Sequence, residues 1–145
     1  MSNLLTYLNL FESFKRYISE EFLGIEFYCN PVAIPSTSAS SFMIIDFSDE
    51  VIGKLSHTYP RIFAVAKSDP NLTVLSGLVS QIVEKFSSPS SGKKSFSLYD
   101  VATEQVVGLI MVEDVRPRMV LPYEEGYVSR AIDIHLTYQV STRHL

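Results

Sequence analysis

The stretch from Val128 to Val140, near the end of the chain, alternates almost without error between apolar and polar side chains. The apolar set consists of Val128, Ile132, Ile134, Leu136, Tyr138 and Val140. The polar set consists of Ser129, Asp133, His135, Thr137 and Gln139. Because a period of two places successive side chains on opposite faces of a sheet, this pattern predicts a long strand with one buried and one solvated face.

Length and composition predict one folded domain spanning residues 1–145, with 46% apolar and 19% charged residues. The net charge of −4 argues against a nucleic-acid binder that depends on phosphate neutralisation. Cys29 is the single cysteine, which excludes an intrachain disulfide and a cysteine-based metal cluster. No apolar run approaches the roughly 20 residues that span a bilayer, so we expect a cytosolic protein with no membrane association.

Two helices are predicted from apolar residues that recur every three or four positions. The first runs from about Asn3 to Phe22, with Gly24 suited to its end. The second begins at Asp69-Pro70, an acidic cap followed by proline at the first helical position, and ends at about Ser87.

Six strands are predicted between and after these helices. They are Ile25–Cys29, Phe42–Phe47, Tyr59–Lys67, Phe96–Val101, Val106–Val115 and Val128–Val140. The segments 31–41 and Arg116–Tyr127 are predicted to be long loops, and 48–58 is a connection of undefined structure. The resulting class is α+β: a mostly antiparallel sheet of about five to six strands with two helices packed on one face.

We find no motif for catalysis, cofactor binding or metal binding. Cys29, His57 and His135 lack the spacing of a nucleophile and its base, and a buried structural thiol is the simpler interpretation of the cysteine. The acidic pairs of the chain show no ligand-loop pattern. We therefore predict no catalytic residue, no cofactor and no metal ligand.

Charged residues in the Arg116–Tyr127 segment are the candidates for a contact surface. Complementary charge between neighbouring copies of a protein sets their register, and such a role would explain a loop of this length. The solvated face of the last strand could extend this surface. The predicted subunit or partner interface comprises Arg116, Arg118, Glu124, Glu125, Asp133 and His135.

The order of elements resembles that of the tail terminator, or tail completion, proteins of long-tailed bacteriophages and of related head–tail joining proteins. An N-terminal amphipathic helix precedes the short strand Ile25–Cys29. The segment Arg61–Ser68 leads directly into the helix Asn71–Phe86, much as the central strand of these families does. The final strand Ala131–Val140 is similar to their closing strand, which often ends in an aromatic-polar pair.

This resemblance implies a non-enzymatic structural protein of the virion. Such proteins form rings, expected here to be hexameric, that cap the tail tube, end its polymerisation and form the head–tail interface. The implied partners are further copies of the chain, the tail tube protein and a head-proximal connector protein, with DNA passing through the ring without specific binding. The implied location is the host cytoplasm during assembly and then the tail or neck of the virion.

Three alternatives stay open from the sequence. The chain could be another head–tail connector or tube-end protein, or a small non-viral adaptor domain that binds a ligand or peptide on its sheet. It could also be an enzyme that uses Cys29, His57 or His135. Solution mass separates the ring-former from the adaptor, and replacement of the three residues tests the enzyme.

Overall fold

A computed structural model describes residues 3–30, 39–47, 57–69, 71–87, 94–124 and 126–140, with the backbone alone at 3–7, 124 and 140. In chain order the elements are α1 (Asn3–Glu21), β1 (Phe27–Cys29), β2 (Ser41–Asp46), β3 (His57–Thr58), β4 (Arg61–Lys67), α2 (Thr73–Phe86), β5 (Ser95–Tyr99), β6 (Val106–Glu124) and β7 (Tyr127–Val140). The predicted α+β class is confirmed.

The strands form one sheet in the order β1-β2-β4-β7-β6-β5, with β3 paired to β7 beyond the end of β4. Strand β1 runs parallel to β2, and the other pairs are antiparallel. The sheet is therefore mixed, and it curls strongly into a half-barrel. This corrects the predicted mostly antiparallel sheet with two helices on one face, which assumed a simpler layered arrangement.

The main core forms between the two helices and the inner face of the sheet. Helix α1 contributes Leu10, Phe14, Tyr17, Ile18 and Phe22, and α2 contributes Leu75, Leu78, Val79, Ile82 and Phe86. The rings of Phe14 and Phe86 stack with centroids 5.7 Å apart, which joins the helices directly. The alternation in β7 is confirmed, because Ile132, Ile134, Leu136 and Tyr138 are buried in this core.

Strand β2 carries buried apolar side chains on both of its faces, as its predicted central position requires. Met43 and Ile45 join the main core. Phe42 lies on the other face, where its ring contacts those of Tyr28, Tyr123 and Tyr127 at centroid distances of 5.8–6.1 Å. The outer face of the sheet therefore has an aromatic cluster of its own at this end.

The predicted loop Arg116–Tyr127 is wrong, because β6 continues to Glu124 and pairs with β7 over most of its length. Three bulges interrupt the pairing, between Val112 and Asp114, between Pro117 and Val120, and between Pro122 and Glu124. Bulges and prolines break the alternation by which a strand is recognised in a sequence. The prolines are tolerated here because no described strand pairs with the other side of this part of β6.

The start of α2 also differs from the prediction. The helix begins at Thr73, after Leu72 in the left-handed conformation with φ of 53°, rather than directly after Asp69-Pro70. Asp69 still acts as the acidic cap: its carboxylate accepts hydrogen bonds from the backbone N–H groups of Thr73 at 2.9 Å and Val74 at 3.2 Å. These bonds lower the pKa of Asp69.

Strand β6 pairs with β7 on one side, and its other side, the outer edge, is paired with a described strand only along the first part of β6. Strand β5 pairs with the first part of β6, up to Met111. Helix α1 in turn covers β5, because Ser13 Oγ accepts a hydrogen bond from the N–H of Tyr99 at 2.8 Å and Asn9 Oδ1 accepts one from Val101 at 2.9 Å. Within the described residues, no strand pairs with the outer edge of β6 from 113 to 124.

None of the helices in the described ranges is both long enough and apolar enough to span a membrane.

Candidate functional site

A polar cleft of about 490 Å³ lies on the outer face of the sheet and is lined by residues of β2, β4, β6 and β7 and by Tyr59, which follows β3. We call it the outer cleft. It is lined by Asp46, Tyr59, Arg61, Asp114, Arg116, Arg118, Asp133, Ile134 and His135. Three arginines face three aspartates, so the charges of the lining side chains balance when the histidine is neutral.

Asp133 is the centre of this arrangement because of the strand register. It lies opposite Arg61 on β4 and opposite Arg116 on β6. Its Oδ1 is 2.6 Å from Arg61 Nε, and its Oδ2 is 3.3 Å from Arg118 Nε. One carboxylate on the middle strand thus binds an arginine from each neighbouring strand.

Arg116 pairs within its own strand rather than with Asp133. Its Nη2 lies 3.0 Å from Asp114 Oδ2, and both side chains are more than half exposed. Opposite charges two residues apart in a regular strand lie on the same face, which is what brings these two groups together. The pair is open to solvent, and its contribution to stability is small.

A histidine pair lies at the edge of the outer cleft. Nδ1 of His57 is 2.9 Å from Nε2 of His135, so one ring donates a hydrogen bond to the other. The ring of Tyr59 stacks on His135 with a centroid distance of 4.7 Å and an interplanar angle of 17°. The short strand β3 creates this contact, because it places His57 opposite Thr137, two residues beyond His135.

The outer cleft contains four of the six residues predicted for the interface: Arg116, Arg118, Asp133 and His135. Glu124 forms the end of β6, opposite Tyr127, and its side chain is not among those described. Glu125 lies outside the described residues. Both arginines contact aspartates of the same chain, and their contact with neighbouring copies stays a prediction.

Sequence reasoning missed Arg61, Tyr59, Asp46 and Asp114 as members of the site. Arg61 begins β4 and is far from Asp133 in the sequence, so only the β4–β7 register reveals their proximity. No local pattern carries that information. The outward position of Asp133 and His135, by contrast, follows directly from the alternation in β7.

The three residues considered for an enzyme do not form one constellation. His57 and His135 are in contact, whereas Cys29 lies on β1 at the end of the sheet order and packs against the main core. Burial raises the pKa of the Cys29 thiol, which disfavours the thiolate that a nucleophile requires. In the described part of the chain, no three histidine, cysteine or acidic side chains are grouped so as to hold a metal ion.

A smaller cleft of about 210 Å³ lies where α1 meets the turn between β5 and β6. The guanidinium of Arg16 lies 4.0 Å from the ring centre of Tyr99 in its wall. Glu12, Asp100 and Glu104 also line it. This contact secures α1 against the sheet, and no group in it is arranged for chemistry.

No protein family model matches this chain, and no curated protein matches it either.

Proposed function

We propose that this chain is a non-enzymatic structural subunit that assembles with copies of itself, and that the assembly is a tail-terminator ring at the end of a phage tail tube. The observation that carries the proposal is the outer edge of β6 from 113 to 124, with which no described strand pairs. Met119 is 72% exposed and Leu121 52% exposed on this edge, and Val120 between them is also exposed. An uncovered strand edge with exposed apolar side chains is a template for pairing with another chain.

The asymmetry of the sheet favours a ring over a symmetric dimer. One end of the strand order is the short strand β1, and the other is formed by β5 and the part of β6 that has no described partner strand. Contacts between two unlike edges are heterologous, and a heterologous contact repeated around an axis closes into a ring. The curl of the sheet would supply rotation between successive copies.

The three bulges and two prolines in β6 fit regulated assembly. Such features hinder indiscriminate edge-to-edge aggregation, because they interrupt the regular row of N–H and C=O groups. A subunit that must stay soluble until it meets a template needs this protection. The tail tube protein and a head-proximal connector protein would be its partners, first in the host cytoplasm and then in the neck of the virion, with DNA passing through the ring.

The test is the solution mass of purified protein, alone and with the tail tube, by sedimentation velocity and native mass spectrometry. We expect a ring, and we expect Met119→Asp combined with Leu121→Asp to prevent it. The control is Leu23→Asp, which places the same charge at an apolar residue that is 81% exposed beyond α1. A ring that survives the double change, or particles of normal tail length without this protein, would contradict the proposal.

A second candidate function rests on the outer cleft. Its volume and its balanced arginines and aspartates suit a small adaptor domain that binds a polar ligand or peptide. This adaptor would be a monomer or dimer whose mass does not change in the presence of tail tubes. The double change on β6 would leave its binding intact, so the same measurement separates the two functions.

A further inference from the structure

We infer that His57 and His135 form a chelating site for a divalent transition metal ion, with Cu²⁺ as the preferred ion. This site goes beyond the proposed assembly function and does not depend on it. The two facing ring nitrogens come from different strands, and they are already brought together by the β3–β7 pairing. Imidazole nitrogen is a good ligand for copper, nickel and zinc.

The separation of the nitrogens matches that of adjacent ligands around a metal. With metal–nitrogen bonds of about 2.0–2.1 Å, two nitrogens lie about 2.9 Å apart at a right angle and about 3.3 Å apart at the tetrahedral angle. The observed distance between His57 Nδ1 and His135 Nε2 is 2.9 Å. A right angle is typical of the tetragonal coordination of Cu²⁺ and Ni²⁺.

Binding requires a modest rearrangement of the pair. The ring that donates the hydrogen bond must move its proton to its remote nitrogen, so that both facing nitrogens offer a lone pair. The two rings are nearly coplanar, with centroids 5.2 Å apart and an interplanar angle of 23°, so their facing lone pairs lie in one line. His135 is held by the stacked ring of Tyr59, so the exposed ring of His57 must turn out of this line before both lone pairs converge on one ion. Since no third protein ligand is grouped with them in the described residues, water completes the coordination.

The three nearby arginines do not give the surroundings of the histidine pair a net positive charge. Arg61 and Arg118 are both neutralised in part by Asp133, and Arg116 is paired with Asp114. Asp114 lies opposite His135 in the register, and the stacked ring of Tyr59 supports one face of His135. The metal would join β3 to β7, whose pairing is limited to two residue pairs.

The test is titration of the full chain with Cu²⁺, Ni²⁺ and Zn²⁺, each alone, by calorimetry and thermal unfolding. We expect one site, tightest for Cu²⁺, and a rise in melting temperature with metal concentration. His57→Gln and His135→Gln should each weaken Cu²⁺ binding by roughly tenfold or more, since loss of a ligand costs at least as much as loss of its supporting residues. The control is His144→Gln, which removes the remaining histidine of the chain.

Two further measurements separate loss of a metal ligand from loss of the fold and identify the ligands. Circular dichroism and the metal-free melting temperature show whether each variant is folded. Electron paramagnetic resonance of the Cu²⁺-loaded wild type should show coupling to two imidazole nitrogens. Unchanged Cu²⁺ affinity in His57→Gln or His135→Gln, loss of affinity in His144→Gln, or a signal from a single nitrogen would overturn the inference.

Discussion

Arg61 and Asp133 lie directly opposite each other on β4 and β7, and Nε of the arginine is 2.6 Å from Oδ1 of the aspartate. The other carboxylate oxygen binds Arg118 from β6, so Asp133 connects three strands on the outer face. The side chains of its two arginine partners are about half exposed, so solvent screens each ion pair and keeps its contribution to stability small.

We expect Asp133→Asn to lower the free energy of unfolding by about 1 kcal/mol, because two partly exposed ion pairs are lost together. The matched control, Asp114→Asn, loses a single more exposed pair with Arg116 and should cost less than about 0.5 kcal/mol. Urea unfolding measures both. The difference between the two variants in free energy of unfolding should become smaller at high salt, because salt screens the ion pairs. Equal losses of stability in the two variants would contradict the central position of Asp133.

Phe86 is predicted to be one of the most sensitive core positions. It is 1% exposed, and its ring contacts those of Phe14, Tyr17 and Phe22. Phe86→Ala should destabilise the protein by about 3–5 kcal/mol, because it removes a large side chain and leaves a cavity between the helices. Val74→Ala, on the exposed side of the same helix, is the control and should cost little; comparable losses in urea unfolding would contradict this placement of the core.

Ionisation of Tyr17 should lower the free energy of unfolding in alkaline solution. Its hydroxyl donates a hydrogen bond to the carbonyl of Lys85, and its pKa is raised, first by burial and then by the nearby Glu21. A phenol whose pKa is higher in the folded state stabilises the fold fully below its unfolded pKa of 10.0, and this contribution is lost as pH rises.

Tyr17→Phe should therefore lose about 1 kcal/mol at neutral pH, where the hydrogen bond is intact. Its stability should also decline less steeply than that of the wild type above about pH 10. Urea unfolding at neutral and alkaline pH checks both expectations. Parallel pH curves for the two proteins would show that Tyr17 is not the group responsible.

Asp69 should have the opposite pH dependence. Hydrogen bonds from Thr73 and Val74 lower its pKa in the folded protein, so its contribution is present above the unfolded pKa and disappears as pH falls through the folded value. Asp69→Asn removes the negative charge near the helix N-terminus and leaves one accepting oxygen where the carboxylate uses two, so it should reduce the melting temperature by about a few degrees at neutral pH. The difference from the wild type should shrink as pH falls below 3.8, and a difference that stays constant in acid would contradict the cap.

Elements with a regular period are predictable from the sequence. The periodicity predicts the first helix at about Asn3–Phe22, and it is found at Asn3–Glu21. The alternation predicts the last strand at Val128–Val140, and it is found at Tyr127–Val140. In both, burial on one face maintains the period over many residues. The second half of β6 was missed because Pro117, Pro122 and the bulges remove the period.

The candidate site was only partly predictable, for a different reason. Outward-facing Asp133 and His135 follow from the alternation of one strand. Their partners Arg61 and His57 come from β4 and β3, and the pairing of these strands with β7 depends on the whole topology. Segment 31–41, predicted as a loop, lies for the most part outside the described residues, as does most of 48–58.

The bulges of β6 have a geometric consequence for the shape of the molecule. Between Gly108 and Glu124, β6 contains one extra residue at each of its three bulges relative to the facing length of β7. Two paired strands that differ in residue number can stay hydrogen-bonded only if they bend, because the strand with the extra residues must follow a longer path. The extra residues of β6 therefore account for part of the curvature of the half-barrel. Deleting one residue from a bulge would straighten the paired strands at that point.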